Sequence, residues 1–221
     1  MSITASKDHW NSSSDYHSRR EGDAKGQVET ILIPQFKQLF GRALPLLKAK
    51  SVSVADFACG GGAIACEFLK ASRGCGVDVA SFGLLDVAAD NLPIAESRAR
   101  SVEHSASIWT KKTNGVDFSD FDGEPVDFLY CWDAMVHFDI LDIVGYIRTL
   151  SRVCKGYAML HHSNYPVVTK DIRDNPHWRN FMSADIFRQI CISSGHKVVS
   201  QKLHNWGIEN LDCITVIEVS K

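Results

Sequence analysis

The 221-residue sequence holds no CxxC pair, and its seven cysteines (59, 66, 75, 131, 154, 191, 213) are odd in number and scattered, mostly inside apolar runs. That pattern excludes a disulfide framework and a zinc site of the usual spacing, and predicts small buried thiols in a reducing cytoplasm. Long hydrophobic runs are also missing. None approaches the roughly 20 residues that span a bilayer. Residues 1–23 are polar and lack the apolar core of a secretory signal, so the expected location is cytoplasmic. Excess charge of one sign is absent too: a net charge of −2 gives no reason to expect nucleic acid or an anionic membrane as partner. There is no internal repeat and no low-complexity segment.

What is present is ordinary for a folded domain. Apolar residues make up 45% of the chain and charged residues 23%, enough for one large domain with a buried core. Residues 1–24 are rich in Ser, Asp and Arg, with Trp10, Tyr16 and His17 among them. They are read either as a frayed terminus or as a lid that orders over a ligand. Residues 27–47 repeat apolar side chains near helical spacing, interrupted by Pro34 and Pro45, which predicts two helices or a kinked one. Residues 1–48 are thus expected to form a helical cap on a domain over 49–221.

The centre of the sequence is Val52-Ser53-Val54-Ala55-Asp56-Phe57-Ala58-Cys59-Gly60-Gly61-Gly62-Ala63-Ile64-Ala65. It reads as a buried strand, a glycine turn and a helix start, an arrangement that brings backbone N–H groups against a ligand. Beyond it, 74–79 reads as a second short strand ending in Asp78, and 82–100 as a helix that Pro93 breaks or kinks. Further strands are expected at 107–111, 125–132 and 157–162. Helices are expected at 140–154 and 183–194, the latter capped by Ser183 or Asp185 with Gly195 past its end. The alternation predicts an α/β domain whose mostly parallel sheet is covered on both faces. Two final β-rich runs, 196–205 and 212–219, have no room for a crossover helix between them and are expected to pair antiparallel.

Taken alone, Gly60-x-Gly62-x-x-Ala65 fits a dinucleotide fingerprint, with Asp78 about where a ribose-binding acid belongs. An NAD(P)-dependent oxidoreductase therefore stays open as an alternative. Three features favour another cofactor: about 50 residues precede the strand, Asp56 stands just before the glycines, and the chain closes with an antiparallel pair.

On those residues the sequence resembles the class I S-adenosylmethionine-dependent methyltransferases over roughly residues 50–219. The family's acid-x-Gly-x-Gly-x-Gly element stands here as Asp56-Phe57-Ala58-Cys59-Gly60-Gly61-Gly62, with Ala58 in place of the first glycine. The resemblance implies a Rossmann-like three-layer α/β/α sandwich with a seven-stranded, mostly parallel sheet whose last strand is antiparallel. It implies S-adenosylmethionine as cofactor and S-adenosylhomocysteine as product. Asp56 would face the methionine end, and Ala58, Gly60 and Gly62 would form the turn. Asp78, beside Val79, would hold the ribose hydroxyls. Asn114 or Asp117 would meet the adenine edge, and Trp132 would line the cofactor. A non-catalytic protein that keeps the pocket is a further alternative.

For a hydroxyl acceptor the reaction needs a base. The candidates are His137, His161 and His162, with Asp133 placed to orient His137 if 133–138 is helical. Alternation along a strand sends His161 and His162 to opposite faces, so one at most reaches a substrate. No carboxylate or cysteine stands at ligand spacing beside them, so no metal is expected. Segment 165–182, with Lys170, Arg173, His177, Trp178, Arg179 and Phe181, is read as a specificity loop or as a solvated cover. Trp132-Asp133-x-x-Val136-His137-Phe138, His161-His162-Ser163-Asn164 and Asn205-Trp206-Gly207 with Asp212-Cys213-Ile214-Thr215 together resemble small bacterial methyltransferases of polysaccharide or natural-product synthesis. That resemblance implies O-methylation of a sugar or small-molecule hydroxyl, and a monomer or homodimer is expected.

Overall fold

The computed structural model describes residues 21–43, 51–103, 105–166, 179–205 and 208–220. The proposed lid at Trp10, Tyr16 and His17, the 48/49 boundary, Pro45 and most of the 165–182 segment lie outside these residues. The chain divides into two compact units, one reaching Lys112 and the other starting at Thr113. The strands form a seven-stranded sheet in the order β3-β2-β1-β4-β5-β7-β6, flanked by helices, in a Rossmann-like fold. Among the described residues no helix is long and apolar enough to cross a membrane.

In the first unit, α1 (Glu21–Gln27), a π segment (Val28–Leu32) and α2 (Ile33–Ala43) form one uninterrupted helical run. Of the two expected outcomes, a split into two helices at Pro34 does not occur. The chain widens to π spacing just before it, with the Ile33 N–H bonded to the Val28 carbonyl, which accommodates a ring that α spacing would crowd. Val28, Leu32 and Phe36 face inward, and Phe36 meets Phe68 edge-on at 5.2 Å.

β1 (Ser51–Phe57) is mostly buried, as a central parallel strand requires. α3 (Ala63–Ser72) follows the glycines. β2 (Asp78–Asp86) pairs parallel with β1, from Ser51↔Asp78 to Phe57↔Leu85. Here the structure departs from the short strand expected at 74–79. Residues 73–75 are a 3-10 turn, and the strand occupies the first part of the expected 82–100 helix. Gly83 makes that strand possible beside β3 (Ser107–Lys112), because a Cβ at Gly83 would stand 2.2 Å from the Trp109 ring. α4 (Asn91–Val102) begins only at Asn91, so Pro93 lies in the first turn, where its missing N–H costs no helical bond.

In the second unit, β4 (Val126–Cys131) pairs parallel with β5 (Cys154–Ser163). Between them stand a 3-10 turn (Met135–His137) and α5 (Ile140–Arg148), whose N-cap Asp139 accepts from the Leu141 N–H. α6 (Ala184–Ser193) is capped by Ser183, which accepts from Ile186, and Gly195 follows its end at φ +88°. β6 (Lys197–His204) pairs antiparallel with β7 (Asp212–Glu218), as expected, and β7 in turn pairs antiparallel with β5. All seven cysteines are free thiols, and only Cys75 is more than slightly exposed.

Candidate active site

The carboxyl end of β1 opens into a turn held at nearly every peptide. The N–H groups of Ala58 and Cys59 both donate to the Leu85 carbonyl, at 2.7 and 3.1 Å, and Gly62 donates to the Cys59 carbonyl at 2.9 Å. The Gly60 N–H donates to Asp86 Oδ2 at 2.7 Å. Three residues of the turn have left-handed backbone: Ala58 at φ 61°, Gly60 at 51° and Gly62 at 79°. Gly62 is also sterically required, since a Cβ there would lie 2.8 Å from Ala95 Cα on α4. It is the N-cap of α3 and puts no side chain over that helix start, which leaves a partial positive charge facing outward.

Asp86 ends β2 and is buried. Its Oδ1 accepts the Ala88 N–H at 2.8 Å. Burial pushes its carboxyl above the usual range, and the bonds from Ala88 and Gly60 offset part of that rise. Asp56 is the penultimate residue of β1 and 2% exposed.

Asp78 and Val79, assigned from sequence to the ribose, are elsewhere. They open β2, level with Ser51 and Val52 at the start of β1. Asp78 and Asp86 stand at opposite ends of the nine-residue strand, eight steps apart, about 26 Å at 3.3 Å per step. Asp86 is the acid at the end of strand two. The signal that marks it is Pro93: read as a first-turn proline, it places the helix start near Asn91 and leaves Phe82 to Leu85 for a strand.

Asn114 and Asp117 lie on the loop after β3 and build its turn. Asn114 Oδ1 accepts from the N–H groups of Val116 and Asp117, and Asn114 Nδ2 donates to Asp117 Oδ1. Asp117 also accepts from the Ser119 hydroxyl and amide, and these bonds with that from Asn114 hold its carboxyl below the usual range.

In the second unit, polar groups gather where β4, β5 and β6 end and β7 begins. Asp133 follows β4 in a left-handed conformation, φ 52°, and only Met135–His137 turn, as 3-10. Asp133 and His137 therefore do not share a face by α-helical spacing. The Asp133 N–H donates to His161 Nδ1 at 3.1 Å. His161 Nδ1 thus accepts, so its Nε2 carries the hydrogen and donates to Asp212 Oδ2 at 3.1 Å. Arg179 grips the same carboxylate with two bonds, 2.9 Å to Oδ1 and 2.8 Å to Oδ2. Burial works to raise Asp212, and the bonds from His161 and Arg179 overcome it and hold the carboxyl low. Trp132, expected beside the cofactor, is buried and lies against the His161 ring at 4.6 Å.

His162 faces the other way, as alternation requires. Its ring stacks on Phe187 of α6 at 3.7 Å and 7°. Nδ1 donates to the Ser163 carbonyl and Nε2 accepts from the Thr215 hydroxyl, both at 2.8 Å. Burial drives its pKa down to about 3. This is a structural imidazole, which corrects its placement among the catalytic candidates. His161 has both ring nitrogens engaged inside the protein and is 0% exposed.

His137 ends the 3-10 turn and is buried. The turn is clamped by Asn180, whose N–H donates to Val136 and whose Nδ2 donates to the carbonyls of Met135 and Phe138, at 3.1 and 2.5 Å. Neither this clamp nor His204 was found from sequence. His204 ends β6 in register with Asp212, half-buried, its ring 5.8 Å from that of His161. Burial, then the neighbouring His161, lowers its pKa. The cue for His204 is topological: β6 runs parallel to β5, so both strands end at one edge.

The strand order, the antiparallel β7 and the glycine turn after β1 define the fold of the class I S-adenosylmethionine-dependent methyltransferases. Among solved structures it is similar to magnesium protoporphyrin IX methyltransferase from Synechocystis PCC 6803 with bound SAH, at 15% identity, 99% of each chain covered and a TM-score of 0.70. It is similar also to a SAM-dependent methyltransferase from Leishmania major (14% identity, 98% of this chain and 82% of that one, TM-score 0.64). A third similar structure is an O-methyltransferase family protein from Burkholderia thailandensis (13%, 96% and 62%, TM-score 0.60). No family model matches the sequence, and comparison with curated proteins finds no match. At these identities the likeness is one of fold.

Proposed function

We propose that the protein is an S-adenosylmethionine-dependent methyltransferase acting on the oxygen of a sugar or small-molecule hydroxyl. The observation that carries the reading is the Gly60–Asp86 hydrogen bond at the carboxyl ends of β1 and β2. It joins a glycine turn to a strand-end acid within the methyltransferase strand order.

The residues fit the methyl donor. The Asp86 carboxylate accepts amides from Gly60 and Ala88, with a further backbone bond from Val87, and its about four lone-pair sites leave capacity for a ribose hydroxyl. Asp56 suits the ammonium group of the methionine end, Ala58, Gly60 and Gly62 shape the turn, and the loop carrying Asn114 and Asp117 is assigned to the adenine edge. The bound donor supplies an electrophilic methyl group on a sulfonium.

The chain's part is to align the acceptor and remove its proton. With His161 and His162 committed to internal bonds, the proposed base is His137, on the turn after β4 held by Asn180. The residues after β4 read Cys131-Trp132-Asp133-Ala134 and lack the Asn-Pro-Pro-Tyr-like element that serves amino-group methylation, which supports an oxygen acceptor.

Calorimetric titration of the full chain with S-adenosylhomocysteine and with NADH tests the cofactor. Heat with the first alone is expected; heat with NADH alone returns the oxidoreductase reading. A screen of hydroxyl acceptors with radiolabelled methyl donor then tests turnover. His137→Ala is expected to lower turnover at least tenfold (about 1.4 kcal/mol in the barrier) with unchanged S-adenosylhomocysteine affinity. A normal rate removes His137 as the base.

A further inference from the structure

α4 presents two residues to the glycine turn from one face. Ala95 is the atom group that only glycine at position 62 can approach, and one turn later Arg98 Nη1 donates to the Gly61 carbonyl at 2.9 Å. The same peptide is held from its other end, since its N–H, that of Gly62, donates to the Cys59 carbonyl. Arg98 thus holds this peptide by a charge-assisted bond.

On the opposite side of the turn, Asp86 holds the Gly60 N–H and the Leu85 carbonyl holds the N–H groups of Ala58 and Cys59. The turn is therefore fixed from two elements, β2 and α4. Glycine removes the steric barriers that otherwise restrain a peptide plane. At three consecutive glycines the backbone keeps one conformation only if external groups impose it, and freezing it in advance lowers the cost of binding.

We propose that Arg98 is a positioning residue for the methyl donor: it fixes the Gly61–Gly62 peptide and so pre-forms the turn that receives the ligand. The proposal rests on the methyl-donor reading above. Arg98 need not touch the ligand. It acts through the peptide it holds, and its positive charge beside the turn adds to the field of the α3 N-terminus.

The test is titration of the full chain with S-adenosylhomocysteine in wild type, Arg98→Met and Arg98→Lys. Met keeps the apolar stem of the side chain and removes the donors. Lys restores a single charged donor. Arg98→Met is expected to weaken affinity about tenfold or more, the loss typical of a charge-assisted bond, and Arg98→Lys to recover most of it. Hydrogen exchange of the ligand-free protein is expected to show faster exchange at the Gly62 amide in Arg98→Met, with amides of the β4–β5 region unchanged.

Equal affinity in wild type and Arg98→Met overturns the proposal. So does weakened affinity in both variants with a matching fall in the ligand-free melting temperature, which marks a general folding role. A wild type that gives no heat with S-adenosylhomocysteine sinks the methyl-donor reading itself, a result distinct from the first two.

Discussion

The Gly60 N–H and the Asp86 carboxylate, 2.7 Å apart, bind the turn after β1 to the last residue of β2. Asp86, not Asp78, therefore stands beside the glycine turn, and the proposed reading puts the ribose there. Asp86→Ala is expected to weaken S-adenosylhomocysteine binding by about 1.5–3 kcal/mol, the worth of a hydrogen bond to a charged group. Asp78→Ala, at the opposite end of the same strand, is expected to leave affinity unchanged. Calorimetry on both variants decides; the reverse pattern would restore Asp78.

Ala58 carries φ 61°, where an L-residue is strained. Ala58→Gly relieves that strain, against a larger loss of chain entropy on folding. A net gain of about 0.5–1 kcal/mol is expected in urea denaturation. A destabilised variant would show that the Ala58 methyl contributes packing worth more than the strain.

His162 is neutral in the folded protein, with its pKa driven by burial to about 3. Below its ordinary value near 6.5 the unfolded chain takes a proton that the native chain refuses. Stability from this group is complete above pH 6.5 and is lost as pH falls toward 3, by up to about 4–5 kcal/mol. His162→Gln is expected to flatten that loss, measured as denaturation midpoints between pH 4 and 7.

Asp142 in the first turn of α5 is 7% exposed, and burial, with Asp139 beside it, raises its carboxyl to about 6. The sign is opposite to that of His162. The native chain holds a proton that the unfolded chain has released, so this stability is present below pH 4 and lost as pH rises through 6. Asp142→Asn is expected to stabilise the protein at pH 8 by about 1–2 kcal/mol and to steepen its loss of stability on acidification, because the two groups oppose each other between pH 4 and 6. An unchanged pH dependence would refute the raised value.

Arg179 covers a carboxylate, Asp212, that is fully buried. Arg179→Ala leaves that charge without its bidentate partner and is expected to cost about 3–5 kcal/mol. Adding Asp212→Asn is expected to recover part of the loss, so the double variant should be more stable than Arg179→Ala alone. A cost below about 1 kcal/mol would mean that water replaces the guanidinium.

Much of the fold was legible because apolar runs and turn residues report local preferences. The strand at Val52 to Phe57, the Gly60–Gly62 turn, the closing antiparallel pair and the Ser183 cap all follow from spacing within a few residues. β2 is hard to recognise in the sequence because Gly83 and Ser81 weaken its strand pattern and Pro93 looks like a helix breaker. Gly83 is explained only by the Trp109 ring laid across it, and Pro93 only by a helix that starts two residues before it.

The histidines divide in the same way. That His161 and His162 face opposite sides follows from the period of a strand. What each does depends on Asp212 and Thr215, 51 and 53 residues further along the chain. By itself the sequence determined the order of strands and helices and the place of the glycine turn, since backbone conformation is set by near neighbours. Only the tertiary structure decided which acid meets the turn, which imidazoles are committed to internal bonds and which side chains clamp the His137 turn. Those assignments depend on hydrogen bonds between strands that the sheet, and not the sequence, makes adjacent.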